Sequence, residues 1–135
     1  MSYQANGTFD VKITPQKADN KEAESAGLGR MSIHKQFHGD LDATSDGEML
    51  TVGSSASSGG YVAIEKVSGT LKGRTGTFAL QHNGMMDHGE PKLSIAVVPG
   101  SGTGDLTGLS GVFNIKITEG KHFYEFEYTL SDPQK

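Results

Sequence analysis

The sequence repeats one short pattern, GTLKGRTGTF at Gly69 to Phe78 and GDLTGLSGVF at Gly104 to Phe113. Gly69, Leu71, Gly73, Gly76 and Phe78 correspond to Gly104, Leu106, Gly108, Gly111 and Phe113 at identical spacing. An apolar residue, a break at glycine and a restart on an aromatic read as a strand end, a tight turn and the start of the next strand. The repetition therefore predicts two strand-turn-strand units within one sheet system.

The rest of the chain supports this. Phe9, Val11 and Ile13 alternate with polar residues, as do Met31, Ile33 and Phe37, with Lys35 on the same face and Leu41 reached across a bend. Glu48 to Gly53 forms a return, and SSASSGG at Ser54 to Gly60 is a turn or exposed loop. Further strands follow at Tyr61 to Ser68, from Phe78 to His82, at Lys92 to Val98, from Phe113 to Ile117, and at His122 to Leu130, with a turn expected at HNGMMDHGE. Pro15 to Gly29 is polar and lacks an apolar stripe, so it reads as a mobile loop allowing a helical turn or two.

Nineteen glycines, four prolines and 34% hydrophobic residues in 135 suit many short strands better than a helical bundle. The expectation is one all-β domain spanning residues 1–135. It would be a closed antiparallel barrel of about eight strands, with a sandwich as the alternative. Its core would hold Phe9, Val11, Phe78, Leu80, Leu93, Ile95, Phe113, Ile115 and Phe126. A formal charge of -4 and no basic, aromatic-interleaved patch argue against nucleic acid. The absence of cysteine excludes thiol chemistry and disulfides. Without a signal-like opening or a long apolar run, the expectation is a cytoplasmic, non-membrane protein. Met85, Met86 and a strand edge after Thr14 suggest surface for a homodimer.

FHGDL at Phe37 to Leu41, VSGTLKGRTGTFALQH at Val67 to His82, VVPGSGTGDLTGL at Val97 to Leu109 and the aromatic closing strand resemble a bacterial family of small single-domain proteins. The resemblance spans nearly the whole chain, with SGTGDLTGLSG as its most specific stretch. It implies a barrel grouped with that of plant allene oxide cyclase. It carries no reaction with it, and no motif lets that cyclase's catalytic residues be transferred here.

Among candidate functional residues His82 stands out, because the repeat places it opposite Ile117, on what is the apolar side of the sister strand. A buried imidazole needs hydrogen-bond partners, and Glu65, His122 and Tyr124 are the candidates. A His82–Glu65 pair could act as an acid–base couple near neutral pH, or serve only as a structural network. On the last strand His122, Tyr124, Phe126 and Tyr128 share a face that either fills the barrel or walls a ligand pocket. His34 and His38 lie about 13 Å apart on a strand, too far to chelate one ion, so no metal is expected there. Asp87 and His88 in a glycine-bounded turn carry no metal motif, and PGSGTGDLTG lacks the lysine and following helix of a phosphate loop. Neither a cofactor nor a metal is expected. These residues point to a barrel binding a small apolar or amphipathic molecule. The alternatives are a lyase or isomerase using His82 and Glu65, or a filled structural barrel.

Overall fold

In a computed structural model, which describes residues 2–130 apart from Asp19, eight antiparallel strands close into a single barrel. The strands are β1 (Tyr3–Gln16), β2 (Gly29–Gly39), β3 (Leu41–Ser55), β4 (Ser58–Leu71), β5 (Arg74–Asp87), β6 (Glu90–Val97), β7 (Leu109–Thr118) and β8 (Lys121–Leu130). Each pairs with the next in sequence, and β8 returns to β1 from Tyr3 opposite Tyr128 to Phe9 opposite His122. Closure gives every strand two neighbours, although β1 pairs with β8 only over Tyr3–Phe9 and β6 with β7 at a single position.

The repeated glycines and leucines close one end. Leu71 and Leu106 are both wholly buried, with Leu41 and Leu109 beside them, while Phe78 and Phe113 enter the aromatic core. Gly73 and Gly108 each hold φ at 87°, where a side chain would be strained. A Cβ at Gly76 would strike the Thr103 carbonyl, and one at Gly111 would strike that of Glu127. The two copies nevertheless differ in their first halves. The first is the expected hairpin, from β4 through Lys72 and Gly73 into β5. The second begins with a 3-10 turn at Gly104–Leu106, because the chain must cross the barrel end before β7 starts.

Several other boundaries differ from the sequence expectations. The β2–β3 turn falls at Gly39 and Asp40, and β3 then runs unbroken. That turn is clamped by Tyr124, whose hydroxyl accepts from the Leu41 amide and donates to the His38 carbonyl, both at 2.8 Å. Met85 and Met86 lie at the end of β5, and the turn itself is at His88 and Gly89. The stretch expected to be a loop contributes Pro15 and Gln16 to β1 and forms a five-residue helix, α1 (Lys21–Ser25). The Asn20 side chain caps α1 by accepting from the Ala23 amide at 2.7 Å, and none of its residues is buried.

Of the expected core, Phe9, Phe78, Leu80, Ile95, Phe113 and Phe126 are buried, and Val11 and Ile115 pack against them. Leu93 is 44% exposed although its register points inward, because it lies beyond the packed interior. No helix among the described residues is long and apolar enough to cross a membrane, a statement that does not bear on strands. Replacing Phe78 or Phe113 with Ala should cost about 3–5 kcal/mol in urea unfolding, and Leu106→Ala about 2–5 kcal/mol. Leu93→Ala should move the midpoint far less, since little of its packing is lost.

Candidate functional site

The barrel is packed at one end and open at the other. Phe9, Phe37, Phe78, Phe113, Tyr124, Phe126 and Tyr128 fill the packed part with rings in mutual contact, Phe113 on Phe126 at 4.9 Å and Phe126 on Tyr128 at 5.0 Å. Beyond them, inward-register residues emerge into solvent: Ile13 is 47% exposed and Ile117 64%. The seam between β6 and β7 explains part of this opening. It consists of one register pair, Ala96 with Val112, whereas β1 and β8 share seven. Glu90–Ile95 and Phe113–Thr118 are thus not joined to each other by ladder pairs.

A polar network lies where the packed interior meets the opening. Glu65 on β4 is wholly buried, and three side chains from three other strands converge on its carboxylate. Lys35 of β2 donates from Nζ to Oε2 at 2.8 Å, Ser45 of β3 donates from Oγ to Oε1 at 2.6 Å, and His82 of β5 lies with Nε2 2.5 Å from Oε2. On the other side of the imidazole, Nδ1 meets the Tyr61 hydroxyl at 3.2 Å. Lys35 Nζ also sits 5.0 Å from the Phe9 ring centroid, a favourable face for a cation. Among the described residues no buried side-chain nitrogen or oxygen lacks a partner.

Burial pushes the Glu65 carboxyl up, but the His82 hydrogen bond, the Lys35 charge and hydrogen bond, and the Ser45 hydroxyl together outweigh it and hold the group at about 2. Glu65 is therefore a carboxylate at neutral pH, able only to accept. Burial, and then the nearby Glu65 charge, raise the Tyr61 phenol above its ordinary value, so it stays protonated.

Two glycines make this arrangement fit. Gly47 faces Glu65 across the β3–β4 pair, and a Cβ there would strike the backbone and Cβ of Glu65. Gly84 faces Tyr61 across β4–β5, and a Cβ there would collide with the tyrosine ring. Gly84 thus lets the ring lie against the strand with its hydroxyl directed at His82.

Tyr61 also lines the opening. A recess of about 320 Å³ is bounded by Met49, Thr51, Tyr61, Gly84, Met86 and Leu93 among others. It shares Tyr61, Gly84 and Met85 with a groove of about 640 Å³ that passes Leu50, Val52 and Val62, apolar residues exposed on the outer face. Of the residues singled out from sequence, His82 and Glu65 are in direct contact. His122 is half-buried on β8, its ring 5.1 Å from that of Phe9. Tyr124, Phe126 and Tyr128 lie in the packed part, and Tyr124 spends its hydroxyl on the β2–β3 turn rather than on His82. Both ring nitrogens of His82 are engaged by Glu65 and Tyr61. His34 and His38 are exposed and pair separately with Asp46 and Asp10, and His88 pairs with Asp87.

Lys35, Ser45 and Tyr61 were not recognised as members of the network from sequence. The available signal was Lys35 on the inward register between Ile33 and Phe37, a place where an ammonium group requires a buried anion.

Fold and site together define an eight-stranded antiparallel barrel with one packed end, one open end and an ionised hydrogen-bonded network beneath the opening. The chain belongs to the family described as protein of unknown function, DUF3224, which matches residues 5–128. It is similar to a crystal structure of a protein with unknown function from that family in Shewanella oneidensis MR-1. The two are 46% identical over 98% of this chain and all of the other, with a TM-score of 0.88. No curated protein matches the sequence.

Two outcomes follow from this geometry. Unfolded Glu65 takes up a proton near its ordinary 4.5, whereas the folded group resists until about 2. Its contribution to stability is therefore complete above pH 4.5 and is lost as pH falls toward 2. Urea unfolding across that window should show a steeper acid loss for the native protein than for Glu65→Gln, which should also be less stable at pH 7 because Lys35 loses its anion. Separately, Gly84→Ala should displace the Tyr61 ring and break its bond to His82, seen as loss of coupling between the two side chains in NMR spectra while the barrel stays folded.

Proposed function

We propose that this barrel binds a small amphipathic molecule at its open end, the apolar part resting on Met49, Met86 and Leu93 and the polar part on the Tyr61 hydroxyl. The observation that carries this is the position of Tyr61: its hydroxyl ends a buried polar chain, and its side chain lines a mostly apolar recess. Recesses of this kind bind by apolar contact and orient by a few fixed polar groups. Kinship with the allene oxide cyclase barrel remains a proposal about fold and carries no chemistry.

One observation also favours a lyase or isomerase. The Tyr61–His82–Glu65 chain could accept a proton from a bound substrate: the proton passes to the Tyr61 oxygen as the tyrosine's own proton moves to His82 Nδ1. The resulting imidazolium is stabilised by the Glu65 carboxylate. His82 is too enclosed to touch substrate itself, so Tyr61 is the group that would meet it.

Titration with 1-octanol, followed through the methionine methyl NMR signals, tests the binding site. Met49 and Met86 should shift in a saturable manner, and Leu93→Lys should weaken the effect several-fold. Absence of saturable shifts at these residues, or shifts confined to the packed aromatic half, would overturn the assignment.

A further inference from the structure

We infer that the open end selects molecules whose polar end donates a hydrogen bond, such as an alcohol, over anions and over groups that only accept. This rests on the binding site proposed above and specifies its chemistry.

The inference follows from hydrogen-bond direction along the buried chain. Glu65 already accepts from the Lys35 ammonium and the Ser45 hydroxyl, as a carboxylate does. The 2.5 Å contact between His82 Nε2 and the same carboxylate therefore requires the hydrogen on Nε2. In the neutral imidazole Nδ1 is then a lone pair, and the Tyr61 hydroxyl must donate to it. A phenol has one hydrogen, so the Tyr61 oxygen has only lone pairs left for a further partner. With the imidazole neutral, Lys35 and Glu65 offset each other in charge, and the network presents an acceptor with no net charge behind it. A donor head would complete that oxygen's bonding. A carboxylate or an ether oxygen would face its lone pairs and forgo the bond that a donor makes.

Two other charged groups lie near the recess. Lys92 borders it on β6 and would favour an anion, while Asp87 borders the adjoining groove on β5 and would oppose one. The test uses three probes of similar tail, 1-octanol, 1-methoxyoctane and octanoate, titrated by NMR at pH 7.5 into the native protein, Lys92→Met and Tyr61→Phe. The expected result is that 1-octanol binds tightest in the native protein and in Lys92→Met. Its advantage over 1-methoxyoctane should be about three- to tenfold, the value of one hydrogen bond. In Tyr61→Phe that advantage should disappear while both neutral probes still bind. Equal binding of 1-octanol and 1-methoxyoctane, or octanoate binding tightest in Lys92→Met, would overturn the donor preference and leave the binding site standing. If none of the probes binds, both the site and its preference fail.

Discussion

Burial of the Glu65 carboxylate is the constraint around which half of this barrel is arranged. An ionised carboxylate without exposure is tolerable only when donors surround it, and here they come from β2, β3 and β5 onto a residue of β4. Four consecutive strands are thereby tied at one height. A one-residue slip of any of them would turn Lys35, Ser45 or His82 outward and leave the charge without that partner. Gly47 belongs to the same constraint, since the strand facing Glu65 has no space for a side chain at that position.

The opposite end of the barrel is held by different means. Leu41, Leu71, Leu106 and Leu109 are buried there with Tyr128, and the Tyr124 hydroxyl ties the closing strand to the β2–β3 turn. Packing of this sort is apolar and non-directional, which suits an end that must exclude water and do nothing else. The network of Glu65 and His82 is directional and sits where the apolar filling stops. The contrast between a sealed half and a polarised half gives the open end a chemical character that the rest of the interior lacks.

Much of this was legible in the sequence because side-chain alternation in strands reports which face a residue takes. His82 and Glu65 were identifiable as polar groups on inward faces, and the repeat identified Leu71, Leu106, Phe78 and Phe113 as equivalent. Height along the barrel was not legible. It depends on strand tilt and stagger, which alternation does not encode. Leu93 and Ile117 therefore look like core residues in sequence but reach the open rim, and Tyr124 looks like a partner for His82 but lies among the packed rings. The same limit concealed Tyr61. It occupies the inward face two residues from Ala63, and only the register with Gly84 and His82 shows where its hydroxyl points. The single-pair seam between β6 and β7 likewise left no mark in a run of ordinary strand residues.

Stability alone does not require the buried charges. Replacing a buried ion pair with well-packed apolar residues is often neutral or stabilising, so a barrel of this topology could be closed by leucine and phenylalanine throughout, as its sealed end is. Apolar residues could also fix register. They could not orient a hydroxyl in this way, because the direction of the Tyr61 hydroxyl is set by His82, and that of His82 by an anion that must remain ionised. The anion in turn needs Lys35 and Ser45, and Tyr61 needs the bare backbone of Gly84. Each component is accounted for by the next, and the sequence of dependence ends at Tyr61, whose side chain lines the recess.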